Sequence, residues 1–350
     1  MNDKYYRDID DNRENTEMHT PFLSVCIPVY NASAYLARCV EPLLEMGDDV
    51  QIILSDDASK DNSYEICLEY ERKNKNVVAL TGPNGGPSAA RNRALEHVIG
   101  KYVVFVDADD WLEPVAIEHL KRLVEEDELD FIQFGVISEF NNSSSRRNLL
   151  YDKTTRLTDT QYRELFAYVC GLFDDRNLGF EYFGLITCKF FKAEILDGLR
   201  FDPEIVGEDT FYAIQAMKKV KSAAFLAEYL YHYYIINGSY SHRPFPNIFP
   251  MATRMLERMQ DELDMRDSLI RKAFYCHAFG KFKWVLWASG FYSISSRDER
   301  AEFLRTIFSE KIYRRMLWGL PKNNFTTKKK IVFLMLKLGM YKQASTHLYF

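Results

Sequence analysis

Short apolar segments alternate with amphipathic segments along the first third of the chain. LSVCIPVYN, DVQIILSDDAS, NVVALTG and KYVVFVDADD each contain a short apolar run closed by polar residues, which is typical of buried strands. Between them, apolar residues recur with helical spacing in 33–46, 60–74 and 83–100, although Pro42 is expected to kink or interrupt the first helix. This alternation predicts an α/β fold with a parallel sheet and right-handed crossovers.

Polar clusters follow the ends of these predicted strands. PVYN, SDDAS, GPNGGPSAARN and DADD come after the first, second, third and fourth strand. Ligands of open parallel sheets bind beyond the carboxyl ends of the strands, so the four clusters are expected to converge on one rim. The dinucleotide-binding pattern GxGxxG is missing after the first strand, and GxxxxGK[ST] is absent. GPNGG is either a phosphate-facing loop or a plain turn.

Three carboxylates, Asp107, Asp109 and Asp110, close the fourth predicted strand. Two unit charges about 4 Å apart repel by about 4 kcal/mol at an effective dielectric constant of about 20, so clustered acids need a cation, a proton or water. On an extended segment Asp107 and Asp109 share a face, which suits a hard divalent cation with phosphate oxygens. For Asp110 the alternative is that it caps the following helix.

Length and composition describe a globular chain larger than one average domain. Of its 350 residues, 47% are hydrophobic, which is enough for a sizeable core. No apolar run of about 18 residues occurs, so the sequence predicts no transmembrane helix. Residues 1–20 are acidic and lack an apolar stretch, and we expect a disordered leader, not a signal peptide. The six cysteines form no CxxC pair and are expected to be buried, reduced thiols of a cytoplasmic protein.

Charge divides the chain unevenly. Residues 311–350 contain nine Lys or Arg and no Asp or Glu, whereas the remaining residues carry a net charge of −14. Basic tails bind nucleic acid, anionic membranes or anionic ligands, and nothing here resembles a nucleic-acid-binding module. Two alternatives remain for the tail: a helix on an anionic membrane surface, or an amphipathic helix docked on the domain with solvated lysines.

Apolar spacing of three and four residues continues after about residue 245, which predicts a C-terminal helical region. Before it lies an aromatic stretch that includes Phe180, Tyr182 and Phe183. We therefore predict a leader over 1–20, an α/β domain over 21–243, and a helical region over 244–350 that ends in the basic tail.

The ordered set of motifs resembles glycosyltransferase family 2. The resemblance runs through LSVCIPVYNASAYLARCVEPLL, IILSDDASKDNS, NGGPSAARNRAL and YVVFVDADDWLEP, and resumes at FDPEIVGEDTFYAIQAM and LYHYYIINGSYSHR. It implies the GT-A fold, a mainly parallel sheet flanked by helices, here with a C-terminal helical appendage. It also implies that 21–243 is the catalytic domain and that the donor is a nucleotide sugar. In the family the aromatic stretch frames the acceptor, so Phe180, Tyr182 and Phe183 either stack on a sugar ring or belong to the core.

The resemblance assigns site residues by position. For the nucleotide it implies contacts from Pro28, Val29, Tyr30, Asp57, Arg91, Asn92 and Asp107. Asp57 would accept a hydrogen bond from a uracil imide, which favours UDP, and Ala58 stands where members usually have glycine. For Mn²⁺ or Mg²⁺ it implies Asp107 and Asp109, with His242 as a further candidate.

The resemblance also implies a catalytic carboxylate in the later GED motif. Asp209, with Glu208 beside it, would take the proton of the acceptor hydroxyl in a single displacement that inverts the anomeric centre. The alternative is that Asp209 caps the helix TFYAIQAMKKV. Candidates for the diphosphate are Ser239, Ser241, His242 and Arg243, whereas His232 lies in an apolar run that is more typical of a core histidine.

The implied activity is that of an inverting glycosyltransferase acting on a hydroxyl of a glycan or lipid-linked acceptor. Family analogy indicates capsule or exopolysaccharide synthesis at the inner face of the cell membrane. Two alternatives are a catalytically silent nucleotide-sugar-binding protein, which the intact acidic pairs disfavour, and a nucleotidyltransferase. The latter would carry a Gly-rich, Arg- or Lys-bearing loop where this chain has PVYNAS. The sugar, the acceptor and the oligomeric state are left open.

Overall fold

The computed structural model describes residues 20–125, 128–140, 143–173, 180–235, 247–320 and 325–348. The predicted leader therefore lies outside the described residues, except for Thr20. Strands and helices alternate in the N-terminal part as the apolar pattern predicted. In chain order they are β1 (Leu23–Val29), α1 (Leu36–Leu44), β2 (Val50–Asp56), α2 (Ser63–Lys73), β3 (Val77–Thr81), α3 (Gly86–Leu95), β4 (Tyr102–Phe105), β5 (Trp111–Leu112) and α4 (Ala116–Val124).

The second part of the chain adds further strands and then a set of helices. The mixed part comprises β6 (Phe131–Phe140), β7 (Ser143–Arg146), β8 (Thr155–Arg156), α5 (Asp159–Val169), α6 (Phe180–Gly184), β9 (Lys189–Lys192), α7 (Glu208–Met217) and β10 (Ala223–Tyr234). The C-terminal helical region comprises α8 (Ile248–Glu262), α9 (Ser268–Ala288), α10 (Arg297–Ser309), α11 (Lys311–Gly319), α12 (Thr327–Lys337) and α13 (Tyr341–Ala344).

One sheet runs through the molecule in the order β3-β2-β1-β4-β9-β6-β10-β5, with β7 beside β6 and β8 beside β10. The pairs β2–β3, β1–β2 and β1–β4 are parallel, which confirms the predicted parallel half. Strands β6 and β10 also pair in parallel, whereas β9 is antiparallel to both of its neighbours. The long pairings of the sheet are thus parallel, as expected, and shorter antiparallel pairings are added to them. The carboxyl ends of β1, β2 and β4 meet at one edge, where ligands of such sheets bind.

Successive residues of the parallel strands face two different hydrophobic cores. On β1, Val25 and Ile27 belong to one core, whereas Cys26 belongs to the other, which is the alternation that an extended chain imposes. The second core also contains Met255 and Phe274 of the C-terminal helices. The predicted C-terminal helical region is thus present, and it shares a continuous core with the sheet.

Three smaller expectations can be compared with the structure. Helix α1 continues through Pro42 to Leu44, so the proline does not interrupt it; the buried residues Leu36, Val40 and Leu43 hold the helix against the sheet. All six cysteines are buried and unpaired, as predicted. None of the described helices combines the length and the hydropathy that crossing a membrane requires.

Candidate active site

The loops that follow β1 and β2 are joined into one rim. The backbone N–H of Asn31 donates to Ser59 Oγ at 2.9 Å, and Asn31 Oδ1 accepts from the N–H of Lys60 at 2.7 Å. Asn31 and Ala58 both adopt left-handed backbone conformations, with φ of 49° and 59°. These contacts fix the loops relative to each other and leave Tyr30 47% exposed at the rim.

Asp57 is held by backbone amides at the start of α3. Its carboxylate accepts from the N–H of Gly85 at 3.0 and 3.2 Å and from the N–H of Gly86 at 2.7 Å. The Asn84 side chain donates to the Asp57 carbonyl at 3.0 Å. Asp57 therefore ties the Gly-rich segment to the end of β2, with only 3% of its side chain exposed. GPNGG thus forms the turn that opens α3, and the expected contact of Asp57 with a base stays a prediction.

The three residues at the end of β1 differ in how far their side chains are exposed at the rim. The side chain of Val29 is buried in the core, and its carbonyl accepts from the N–H of Asp57 at 2.8 Å. Val29 therefore turns its side chain into the core, and its expected place at the nucleoside pocket stays a prediction. Pro28 is half-buried, and Tyr30 is the most exposed of the three.

Arg91 of α3 bridges two motifs that lie far apart in the sequence. Its guanidinium donates to Asp107 Oδ1 at 2.8 Å and to Glu208 Oε1 at 3.2 Å. Only 7% of the Arg91 side chain is exposed. Burial alone would lower the pKa of Arg91, but the charges of Asp107, Glu208 and Asp209 hold that pKa above its ordinary value. The end of β4 and the start of α7 are therefore joined through one buried cation.

The carboxylates after β4 lie on a turn, not on an extended strand. The N–H of Asp110 donates to the carbonyl of Asp107 at 2.9 Å, so the expectation that Asp107 and Asp109 share a strand face was wrong. Asp110 is buried and accepts from the Tyr231 hydroxyl at 2.6 Å and from the N–H of Tyr234 at 2.7 Å. It therefore ties the turn to β10 and does not cap α4, which has no side-chain cap.

Asp109 shares the turn with other negative charges. Burial, followed by the charge of Asp107, raises the pKa of Asp109 to about 6. The guanidinium of Arg38 on α1 donates to the carbonyl of Asp109 and lies over the ring of Tyr234 at 3.9 Å. Arg38 thus fixes the backbone of the turn, a role for which the sequence gave no signal because α1 and β10 meet only in the folded chain.

The donor atoms of this turn fit a hard divalent cation. No group of three or more His, Cys, Asp or Glu side chains within the described ranges forms a metal cluster. The turn therefore offers the two carboxylates of Asp107 and Asp109, which is the number that Mg²⁺ commonly takes from a protein when phosphate oxygens and water complete its shell. Burial and, after it, the charge of Asp107 raise the pKa of Asp109, and a cation bound between the two carboxylates would offset the repulsion between them.

The acidic pair of the later motif occupies the first turn of α7. Glu208 is the first helical residue and Gly207 is the N-cap, with φ of 88°. Asp209 therefore does not take the N-cap position, which was the alternative role considered for it. Asp209 Oδ1 accepts from the N–H of Thr210 at 2.8 Å. Burial and the charge of Asp209 raise the pKa of Glu208, whereas Arg91 opposes the rise. The positive end of the helix dipole also favours both carboxylates in their charged form.

Lys281 of α9 reaches this pair from the C-terminal helical region. Its ammonium lies so close to Gly207 that a methyl group there would be 2.5 Å from Nζ. Burial lowers the pKa of Lys281, and the charges of Asp209 and Glu208 oppose that shift. Sequence reasoning missed Lys281, because no motif distinguishes one lysine of a long helix from another.

Asn92 contacts the segment before α7. Its side chain donates to the carbonyl of Phe201 at 2.9 Å and accepts from the N–H of Phe201 at 2.8 Å. Both halves of the amide are thus engaged with that segment, and the expected contact of Asn92 with the nucleotide stays a prediction. The neighbouring Arg93, which the sequence did not single out, donates to the carbonyl of Asp56 at 2.8 Å and to Ser55 Oγ at 3.1 Å.

His232 is buried, as a core histidine would be, but it lies between two carboxylates. Its Nδ1 is 2.9 Å from Glu139 Oε1, its Nε2 is 2.9 Å from Glu113 Oε1, and its ring stacks on Trp111 at 3.6 Å. This contact joins β5, β6 and β10 beside the acidic turn. The sequence could not reveal it, because Glu113 follows β5 whereas Glu139 lies on β6, and the two come together only in the folded chain.

The aromatic candidates divide between the core and a polar contact. Phe183 is buried in the core. Tyr182 lies 3.3 Å from Ser138 through its hydroxyl, and the Arg147 guanidinium covers its ring at 4.3 Å. The side chain of Phe180 lies outside the described part of the chain, as do the diphosphate candidates Ser239, Ser241, His242 and Arg243.

The chain is similar to proteins that transfer sugars. Residues 24–177 match the family model described as glycosyl transferase family 2. Glycosyltransferase GlyA of Streptococcus pneumoniae serotype 4 is 32% identical over 225 residues, which cover 63% of this chain and 31% of GlyA. The poly(ribitol-phosphate) beta-glucosyltransferase of Bacillus spizizenii is 29% identical over 221 residues, which cover 61% of this chain and 32% of that protein. The chain thus spans about a third of the length of these two relatives.

The fold is also found in a solved structure. Residues 1–349 of S. aureus TarS, crystallised with UDP-GlcNAc, superpose with a TM-score of 0.65 over 93% of this chain and 90% of that chain. The sequence identity is 17%, so this likeness concerns the fold. It confirms the expected GT-A architecture, a central sheet flanked by helices.

Proposed function

The chain belongs to glycosyltransferase family 2 through residues 24–177, and on this premise we propose that it is an inverting glycosyltransferase with a nucleotide-sugar donor. The observation that carries the proposal is the Arg91 bridge. Through it, the carboxylates that suit a diphosphate-bound cation lie beside the acidic pair that suits a base. A displacement at an anomeric carbon needs both groups close together, one for the leaving group and one for the acceptor.

The donor would occupy the rim above β1, β2 and β4. Asp107 and Asp109 would hold Mn²⁺ or Mg²⁺, which when bound neutralises the negative charge that grows on the leaving diphosphate. His242 and the neighbouring polar residues of 239–243 are proposed to complete that shell. Pro28, Tyr30 and Asp57 are proposed to face the nucleoside, and the carboxylate of Asp57 makes UDP our preferred nucleotide. TarS was crystallised with a UDP-sugar, which agrees with that preference.

Asp209 is proposed as the general base. The acceptor oxygen forms a bond to the anomeric carbon while the bond from that carbon to the diphosphate oxygen breaks and its electron pair leaves with the diphosphate. The acceptor proton passes to the Asp209 carboxylate. Because attack and departure occur on opposite faces, the product has the inverted configuration. Glu208, which is bonded to Arg91, would hold the base near the donor side.

The acceptor is proposed to be a hydroxyl of a cell-surface glycan or of its lipid-linked precursor. The name of the Bacillus spizizenii relative describes transfer to poly(ribitol-phosphate), a polymer of this general kind. Synthesis of a capsule or an exopolysaccharide in the cytoplasm, at the inner face of the membrane, is the finer form of this proposal. The basic C-terminal tail would then contact that membrane.

A donor panel tests the proposed reaction. Purified protein is incubated with single UDP-sugars, Mn²⁺ and oligosaccharide acceptors, and the release of UDP and the anomeric configuration of the product are recorded. We expect one preferred donor and an inverted product. Asp209→Asn should lower kcat by roughly 10²–10⁴-fold while UDP binding is kept. Asp261→Asn, at an exposed position of α8, is the matched control and should behave as wild type.

Two outcomes would redirect the proposal. Retained turnover in Asp209→Asn would exclude that residue as the base. Tight UDP binding without turnover of any donor would favour the catalytically silent nucleotide-sugar-binding protein.

A further inference from the structure

Helix α12 carries apolar side chains on two opposite faces. Val332, Phe333 and Leu336 are 2% exposed each and face the core. On the outward face, Ile331 and Leu334 are 48% and 55% exposed, and Leu338, directly after the last helical residue, is 66% exposed. Their spacing of three and four residues aligns them on one side of the helix. Within the part of the chain that the structure describes, nothing covers this row.

Trp318 of α11 extends the row into a patch. Its side chain is 72% exposed, the highest value among the large apolar residues that are exposed in the described chain. The ammonium of Lys337 lies 4.1 Å above the Trp318 ring, which brings the indole beside the C-terminal end of α12. We call Trp318, Ile331, Leu334 and Leu338 the C-terminal patch.

Cations surround the C-terminal patch. Lys328 and Lys330 are exposed on α12, and Arg314 and Arg315 are exposed on α11. Residues 311–350 contain no acidic residue at all. The one ion pair of the described tail that reaches another element is between Lys342 and Asp298 of α10, at 2.6 Å. The patch therefore combines apolar side chains with a border of positive charge.

We propose that the C-terminal patch docks on the surface of an anionic lipid bilayer. An exposed apolar row, an indole and flanking lysines are the features of helices that lie in the headgroup region, where apolar side chains enter the acyl boundary and cations face lipid phosphates. Nucleic acid would satisfy the cations and leave the apolar row in water. A second copy joined by a two-fold axis would bring two borders of positive charge together, and these repel each other.

This inference gives the membrane contact of the proposed function a defined surface, but it rests on exposure and charge and not on sugar transfer. It requires no donor, metal or acceptor. Vesicle binding and UDP release can therefore fail independently of each other.

Vesicle flotation of the full chain tests the proposal. One set of vesicles contains phosphatidylcholine alone, and the other contains equal parts of phosphatidylcholine and phosphatidylglycerol. We expect flotation with the anionic vesicles and a decline as salt is added. In the double variant Leu334→Ser, Leu338→Ser, the fraction of protein bound to the anionic vesicles should fall by roughly tenfold or more. Lys328→Glu combined with Lys330→Glu should lose binding at low salt.

The matched control is Ile99→Ser, which changes an apolar residue that is 60% exposed outside the patch. It should float as wild type does. Thermal unfolding of each variant checks the fold, which these exposed changes should leave intact. Equal binding to both vesicle types, no binding, or unchanged binding of the leucine variant would overturn the proposal. Dissociation of a dimer by the leucine variant would assign the patch to a second copy instead.

Discussion

At the scale of single residues, Ala58 stores backbone strain at the rim of the site. Its φ of 59° is left-handed, a conformation that costs an L-residue about 1–2 kcal/mol. Glycine adopts it without that cost, which explains physically why glycine is usual at this position in the family. The strain is maintained because Ser59 donates its N–H to Asp56 and its Oγ accepts from Asn31.

Ala58→Gly is therefore expected to stabilise the protein. Relief of the left-handed strain exceeds the added entropy of the unfolded chain, about 0.4–1 kcal/mol, so the net gain is about 0.5–1 kcal/mol. Differential scanning calorimetry should record a higher Tm. Ala193→Gly, at a position without positive φ, is the control and should lower the Tm. A lower Tm for Ala58→Gly would contradict the claim that the backbone is strained at this position.

The Arg91 bridge predicts a loss of activity on a conservative change. Lysine keeps the charge but has no planar fork, so Arg91→Lys can hold one of its two carboxylate partners at a time. We expect kcat/KM to fall by roughly 10–100-fold, as is typical when a group that orients ligands is altered. Arg72→Lys, on the exposed face of α2, should retain wild-type kinetics. Equal kcat/KM of the two variants would contradict the proposed role of Arg91 in the site.

Sequence reasoning found the residues of the motifs but not their contacts. It singled out Arg91, Asp107 and Glu208, yet it could not show that one guanidinium joins the two carboxylates. It assigned Asn92 and Val29 to the nucleotide but did not show that Asn92 bonds to Phe201 or that the Val29 side chain lies in the core. Arg38 and Lys281 could not be found, because their contacts depend on how α1 and α9 pack.

At the scale of elements, α9 anchors the C-terminal helices beside the site. His277 of α9 packs so closely on Gly171, after α5, that a methyl group there would lie 2.7 Å from its Cβ. Burial, together with the charge of Lys281, lowers the pKa of His277 to about 3. The folded protein therefore keeps this imidazole neutral, whereas the unfolded chain protonates it below about pH 6.5.

This difference predicts acid sensitivity of the fold. Because the folded pKa is depressed, stability from this histidine is present above pH 6.5 and is lost progressively as the pH falls towards 3. At pH 5 the loss is about 2 kcal/mol, since one pKa unit corresponds to about 1.4 kcal/mol. Urea unfolding at pH 7 and pH 5 measures it.

His277→Gln should reduce the difference in unfolding free energy between the two pH values. His347→Gln, at an exposed position after α13, should keep the wild-type difference. If both variants lose stability equally on acidification, another group is responsible.

Strand β9 could not be predicted from the pattern of apolar residues. It has four residues, begins at Lys189 and ends at Lys192, so it lacks the alternation of a half-buried strand. Lys189 is nevertheless fully buried, and its ammonium donates to the carbonyls of Phe183, at 2.8 Å, and Leu185. A lysine satisfied by carbonyls cannot be recognised before those carbonyls are placed. The parallel half, whose strands are apolar throughout, was predictable for the opposite reason.

At the scale of the whole molecule, the C-terminal helices pack against the sheet and the candidate site. They share a core with the sheet, and α9 brings Lys281 to the acidic pair of α7. Meanwhile α11 and α12 leave an apolar, basic surface exposed. The same helical region thus supports the site on one side and offers a docking surface on another.

Calorimetric titration of UDP with and without Mn²⁺, on wild type and on Asp109→Ala, tests the central claim most directly. The claim is that a donor diphosphate and a cation meet at the turn after β4. We predict binding that requires Mn²⁺ and is lost in Asp109→Ala, with Asp261→Ala as an unaffected control. UDP binding that ignores both the metal and the Asp109 substitution would contradict the claim and make the acidic turn a structural feature.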